Sequence, residues 1–102
     1  MDIERLLQTP IEDYRKNAVC LILSPYLINI KKMPVIDALR ILEDWLNKCA
    51  LLRILDSNFN YRVKYAIDTA IENGIPPMKL VTLKQKNRLL YDKLCSYDNV
   101  LR

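Results

Sequence analysis

A short stretch with the sequence YRVKY places two tyrosines beside two cations. Tyr61 and Tyr65 are four positions apart, so a helix would present both rings on one face, with Arg62 and Lys64 beside them. Aromatic rings stack on bases and cations neutralise phosphates, which is the chemistry of a nucleotide or single-strand site. A purely structural interpretation stays open, because Lys64 can pair with Asp68 and the rings can pack on a neighbouring helix.

A second polar cluster opens the most apolar part of the chain. Asp13, Arg15, Lys16 and Asn17 lie just before a buried-helix pattern, so their side chains could converge at the mouth of a pocket. The start of a helix also favours a bound anion. The alternative is that Glu12 and Lys16 form an ordinary surface pair one helical turn apart.

Two further groups of polar residues are candidates for binding phosphate. Asn29, Lys31 and Lys32 follow Pro25, although a lysine pair in a loop is commonly only solvated. The C-terminal part of the chain is rich in cations that could track a phosphate backbone or form a solvated helix face. These cations are Lys79, Lys84, Lys86, Arg88 and Lys93.

The composition favours binding over catalysis. The 102 residues include no histidine and a single glycine, which removes the usual acid–base residue and any glycine-rich phosphate loop. No serine or cysteine lies beside a base, and the carboxylates show no paired metal spacing, so we expect neither catalytic residues nor a metal site. The net charge of +4 leans mildly toward polyanionic partners.

Three scattered cysteines complete the inventory of reactive groups. Cys20, Cys49 and Cys95 are odd in number and form no Cys-x-x-Cys pair, which argues against a disulfide framework and a zinc site. Each lies among apolar residues, so we expect three small buried hydrophobes and a cytoplasmic protein. No apolar run is long enough to span a bilayer, and no signal peptide is recognisable.

The apolar periodicity predicts an all-α fold, a compact single-domain bundle of four to five helices with its core between about residues 9 and 95. A short leading helix is expected over 2–8. Thr9, Pro10 and Glu12 resemble a helix start with a capping box, which predicts a buried helix from Pro10 to about Ser24. Pro25 should kink or end that helix.

The later helices are predicted from their caps and apolar stripes. Pro34 starts a second helix whose stripe places Trp45 in the core. Asp56, Ser57 or Asn58 can cap a third helix, and Gly74 can end that helix. Thr82 can cap a last helix to about 94, with Leu83, Leu89, Leu90 and Leu94 facing inward. The two stripes are Val35, Ala38, Leu39, Leu42, Trp45, Leu46 and Cys49 in the second helix, and Phe59, Val63, Ala66, Ile67, Ala70 and Ile71 in the third.

Five ordered segments carry a family resemblance over roughly residues 9 to 95. They are IEDYRK from Ile11, LSPYLINI from Leu23, WLNKC from Trp45, YRVKYA from Tyr61 and GIPP from Gly74. Their order and spacing resemble the archaeal noncatalytic DNA primase subunit family PriX, and the related helix-bundle domain of archaeal and plasmid primase-polymerases.

The resemblance implies a bundle akin to the C-terminal domain of the primase large subunit. It implies a noncatalytic accessory module that holds single-stranded DNA template and the initiating nucleoside triphosphate, ATP with Mg²⁺, beside a catalytic primase domain or subunit. Large subunits carry an iron–sulfur cluster there, which needs four ligands. Three scattered cysteines do not suit that cluster, and neither PriX nor the plasmid domain carries one.

Roles carried over from the family fall on the polar clusters above. Neighbouring helix starts that carry Arg15, Lys16, Arg62 and Lys64 could form one cationic pocket for a triphosphate. This hypothesis requires Arg15 and Arg62 to lie on the same side of the bundle. The full predicted set of nucleotide- and DNA-binding residues is Asp13, Arg15, Lys16, Asn29, Lys31, Tyr61, Arg62, Lys64 and Tyr65.

Two other functions remain open from the sequence. The basic face could dock an acidic partner, such as a catalytic primase subunit, without touching nucleotide. A duplex-binding helix-turn-helix protein is the third alternative, although no basic recognition helix follows a short turn.

Overall fold

Six helices make up the part of the chain that the computed structural model describes, residues 2–55 and 59–96. No strand occurs within those ranges, so the predicted all-α class is confirmed. Helix α2 runs over 15–30, as an α-helical turn at Arg15–Ala18 followed by the π-helical segments Val19–Leu23 and Tyr26–Ile30. The other helices are α1 Ile3–Leu7, α3 Val35–Ala50, α4 Phe59–Asn73, α5 Leu80–Lys86 and α6 Arg88–Cys95.

Helix α2 is the central element of the bundle, and α1, α3 and α4 pack around it. Its side chains Ala18, Ile22 and Leu23 are fully buried, and they join one apolar cluster with residues from the other helices. Helices α5 and α6 pack on each other as a hairpin. They add Leu83, Leu90 and Leu94 to that cluster, whereas Leu89, predicted to face inward, is 62% exposed.

Helix α3 follows the predicted apolar stripe closely. Pro34 occupies the N-cap position, and five of the stripe residues from Ala38 to Cys49 are buried, whereas Val35 at the start of the predicted stripe is 46% exposed. Trp45 is 1% exposed, which confirms its core placement, and its indole N–H donates to the carbonyls of Leu6 and Thr9 at 2.9 and 3.2 Å. The tryptophan thereby ties α1 and the turn that follows it to the core.

The predicted start of the buried helix at Thr9 and Pro10 is wrong, because the helix begins at Arg15. The chain turns first, and Tyr14 takes a left-handed conformation with φ of 62°. This detour lets Ile11 become fully buried, with its N–H donating to the sulfur of Cys49 at 3.4 Å. Tertiary burial of one apolar side chain thus overrides a local capping pattern.

Pro25 does not end the helix, which continues to Ile30. An α-helix would satisfy the carbonyl of Leu21 with the N–H of residue 25, which proline lacks. The wider π-helical turns on either side of Pro25 accommodate its ring. The N–H of Met78 donates to the Leu21 carbonyl at 3.0 Å, so the acceptor that Pro25 leaves is satisfied from another segment.

The end of α4 and the break after α5 show how local residues set boundaries. Gly74 adopts φ of 61° after the last turn of α4, as predicted for a left-handed cap. Ile71, assigned to the core stripe, is 49% exposed. Thr82, predicted to cap the last helix, lies inside α5. The helix is interrupted at Asn87 instead, and the side-chain oxygen of Asn87 accepts from the Leu90 N–H. The predicted cap residues 56–58 lie outside the described ranges.

Two of the three cysteines contradict the expectation that all are buried. Cys49 is fully buried, but Cys20 and Cys95 are exposed. The apolar run that contains Cys20 is helical, and a helix against one side of a core must present part of its circumference to the surface. None of the helices within the described ranges has the length and apolar character needed to cross a bilayer.

Candidate functional site

A cavity of about 460 Å³ opens where the start of α2, the segment after α3 and the start of α4 meet. Its apolar wall contains Val19, Leu46, Leu55, Phe59 and Val63. Cys20 also lines it. Its polar lining consists of Arg15, Lys16, Tyr61, Arg62 and Tyr65. The cavity therefore combines apolar surface, rings and cations in one place.

The structure brings the two predicted clusters together. Arg15 and Lys16 come from the first turn of α2, and Arg62 comes from the first turns of α4, yet all three line the same cavity. The condition that Arg15 and Arg62 lie on one side of the bundle is thereby met. Because both helices begin here, their positive dipole ends also lie near the cavity.

Tyr61 and Tyr65 present their rings to solvent at this cavity. They are 72% and 61% exposed, respectively, although both contribute to the lining. An exposed ring beside an apolar wall is suited to stack on a flat heterocycle. Lys64 lies between them in sequence and is exposed, but the cavity lining does not include it.

Arg15 also has a structural task that the sequence does not reveal. Its guanidinium donates to the carbonyls of Cys49, at 3.3 Å, of Arg53, and of Ile54, at 3.0 Å. Cys49 lies in the last turn of α3, and Arg53 and Ile54 follow that helix, so Arg15 fastens the first turn of α2 to the end of α3 and to the segment beyond it. Its charge stays at the edge of the cavity, in a fixed position.

Asp13 forms an ion pair with Arg53, which lies in the segment after α3 that Arg15 also contacts. Glu12 pairs with Lys93 of α6. A polar groove of about 360 Å³ runs along these residues, beside the cavity. Asp13 therefore positions the segment after α3 and lines the groove without lining the apolar cavity itself.

Asn29 and Lys31 lie outside the cavity. The Asn29 amide donates to the carbonyls of Ala70, at 3.0 Å, and Ile75, at 2.6 Å, which ties the end of α2 to the end of α4. Asn29 therefore has a structural role, which the sequence of a turn motif does not reveal.

Lys31 belongs to a small polar cluster with α1. It forms an ion pair with Glu4 at 3.1 Å, and the Tyr26 hydroxyl donates to the same carboxylate at 2.9 Å. The hydrogen bond from Tyr26, helped by Lys31, lowers the pKa of Glu4 below its ordinary value. Hydrogen bonding to Glu4 raises the pKa of Lys31. Both shifts show that the interaction favours the charged forms of Glu4 and Lys31, neither of which lines the cavity.

Cys20 is the thiol that lines the cavity. Although the residue is exposed, partial desolvation of its thiol raises the pKa, and the positive charge of Arg62 offsets part of that effect. The thiol is therefore mostly protonated at neutral pH. Residues 2–55 and 59–96 contain no group of three or more side chains suited to hold a metal ion.

A comparison with protein families supplies the context for this site. The family model described as PriX, Primase X, matches residues 2–97, nearly the whole chain, and it includes every residue that lines the cavity. No curated protein matches the chain.

Proposed function

The chain belongs to the Primase X family, and from that premise we propose that it is a noncatalytic accessory module of a DNA primase that binds the initiating nucleoside triphosphate and single-stranded template. Family membership gives it a primase-associated role in DNA replication. Binding of nucleotide and template, and delivery of both to a catalytic primase domain or subunit, are the proposed additions. The module contributes positioning of reactants, which lowers the entropic cost of the first bond.

The cavity is the observation that carries this proposal. Its apolar wall, with Phe59, would receive the base, and Tyr61 or Tyr65 would stack on it. Stacking of a base on an aromatic ring contributes about 1–3 kcal/mol. The triphosphate, accompanied by Mg²⁺, would extend toward the cations at the helix starts, Lys16 and Arg62.

Fluorescence anisotropy of a labelled single-stranded oligonucleotide, with and without ATP and Mg²⁺, tests the proposal. We expect ATP to tighten binding of the strand by the wild-type protein. Arg62→Ala should weaken ATP binding by about ten- to a hundred-fold, because a hydrogen bond to a charged group contributes about 1.5–3 kcal/mol. Arg40→Ala is the matched control, since Arg40 is exposed on α3 and lines neither the cavity nor the groove.

The tyrosines separate base recognition from charge. Tyr61→Ala and Tyr65→Ala should each weaken ATP binding while they leave the affinity for inorganic triphosphate unchanged, since a ring contacts only the base. Equal affinities of wild type, Arg62→Ala and Arg40→Ala for ATP would refute the proposal.

A second candidate function is supported by exposed apolar side chains beside the cavity. Leu51 and Ile54 are each 86% exposed and Leu52 is 54% exposed, all in the segment that follows α3. Such a cluster is typical of a protein-docking surface. A module that only docks on a catalytic primase subunit would bind that subunit equally well with and without ATP.

A further inference from the structure

The net positive charge of the chain is concentrated in one part of it. Residues 76–96, which contain the α5–α6 hairpin, carry five cations and a single acidic residue, Asp92. Taking these from the chain's 16 cations and 12 acids leaves 11 of each, so the rest of the sequence is neutral overall. The net positive charge of the chain therefore lies in this hairpin, whereas the cations at the cavity are matched in number by acidic residues elsewhere in the chain.

The hairpin holds cations from both of its helices against one ring. Lys84 of α5 lies 5.7 Å from the centre of the Tyr91 ring, and Arg88 of α6 lies 5.8 Å from it. Contacts of this kind between a cation and a ring face are attractive. Tyr91 is half-buried against the core, so it fixes the two charges side by side on the surface.

Several of these charges have no ion pair with another described residue. Arg88 pairs with Asp92 at 3.0 Å, and Lys93 pairs with Glu12. Within residues 2–55 and 59–96, no ion pair reaches Lys79, Lys84 or Lys86, and all three are exposed. The described lining of the cavity contains no residue of α5 or α6, so this basic surface is a separate feature.

We propose that the α5–α6 hairpin binds the phosphate backbone of a nucleic-acid strand, through the adjacent cations Lys84 and Arg88 and the exposed Lys79 and Lys86. The inference rests on the proposed function in one respect: the strand is taken to be the primase template. Lysine is depleted at protein–protein interfaces, whereas it serves as a point charge for phosphate, so the lysine-rich surface favours a strand over an acidic protein. The cavity would then hold the nucleotide while the hairpin holds the strand.

The test is a salt titration of single-strand binding by the double variant Lys84→Gln, Lys86→Gln. Each lost phosphate contact should reduce the slope of log affinity against log salt by about 0.7, and should weaken binding severalfold at 0.1 M salt. We expect about ten- to thirty-fold weaker strand binding with ATP affinity unchanged. The matched control is Arg40→Gln, Lys48→Gln, which removes the same charge from exposed positions of α3.

Asp92→Asn provides a variant of opposite sign. It removes the sole acidic residue of 76–96 and releases Arg88 from its ion pair, so it should tighten strand binding and steepen the salt slope. Circular dichroism and thermal melting of each variant establish that the helices remain folded.

The outcomes separate this inference from the proposed function. Equal strand binding by the two double variants, with ATP still bound, overturns the inference and leaves the nucleotide site standing. Unchanged strand affinity with lost association to a catalytic primase subunit also overturns it, and assigns the hairpin to a protein partner. Failure of wild type to bind ATP, with strand binding lost only on the α5–α6 change, supports the inference and removes the proposed nucleotide function.

Discussion

The guanidinium of Arg15 donates to the carbonyl of Ile54 at 3.0 Å, which joins the first turn of α2 to the segment that follows α3. The same group also reaches the carbonyls of Cys49 and Arg53. One side chain therefore sets both the position of a positive charge and the shape of the cavity wall. Any loss of binding on substitution of Arg15 contains a structural component.

Arg15→Ala should lower the free energy of unfolding by about 2–3 kcal/mol, because three carbonyls lose a charged donor. Arg15→Lys should recover only part of the loss, since an ammonium lacks the planar fork. Urea unfolding followed by fluorescence of the buried Trp45 measures the effect. Arg40→Ala should unfold like wild type, and equal stability of Arg15→Ala would contradict the role of Arg15 in fastening α2 to the segment after α3.

Asn29→Ala should destabilise the fold by about 1–3 kcal/mol, because the carbonyls of Ala70 and Ile75 lose their donor. The affinity of the folded protein for ATP should stay unchanged, because Asn29 lies outside the cavity. Thermal melting and a nucleotide titration on the same sample check both points. Asn47→Ala, at an exposed position of α3, is the control. A loss of ATP affinity without a loss of stability would restore Asn29 as a binding residue.

Glu4 should give a measurable pH dependence of stability. Its folded-state pKa lies below the ordinary value of 4.5, so its charged form is favoured by folding. The stabilising contribution is complete above the unfolded pKa and is lost as pH falls through the folded pKa. Glu4→Gln should therefore be less stable than wild type at pH 7, and the difference should shrink as pH falls below 4.5 and vanish below the folded-state pKa of Glu4. Glu72→Gln, at an exposed site on α4, removes the same charge and is the matched control.

Cys20 allows the cavity to be probed by chemical modification. A maleimide should label Cys20 and Cys95, which are exposed, and spare the buried Cys49. Because the pKa of Cys20 is raised, its labelling should speed up as pH rises above neutral. ATP should slow the labelling of Cys20 alone, measured by mass spectrometry of digested protein. Equal protection of Cys95, or none at Cys20, would place the nucleotide elsewhere.

The sequence predicts well those elements whose positions are set by their own periodicity. Helix α3 matches because its apolar side chains recur on one face, and Trp45 and Cys49 are buried as that stripe requires. Gly74 marks the end of α4 because few other residues adopt its left-handed conformation. In both cases the deciding interaction lies within the element or next to it.

Features set by distant partners are missed. Thr9 and Pro10 resemble a helix start, yet burial of Ile11 against Cys49 decides the path of the chain. The structural roles of two predicted binding residues are missed for the same reason. Arg15 and Asn29 attract a binding interpretation from their types, but their contacts are backbone carbonyls 34 to 46 positions away, which no local pattern reveals.

The hydrogen bond from Met78 to Leu21 has a consequence for hydrogen exchange. The Met78 amide lies outside every described helix, where amides ordinarily exchange with solvent within minutes or less, but its acceptor is on the central helix. Its exchange should therefore report how often the α5–α6 hairpin separates from the bundle. Because Pro25 has no N–H to donate within its own helix, the Leu21 carbonyl can accept from Met78. This hydrogen bond attaches the segment 76–96, which carries the chain's net charge, to the central helix.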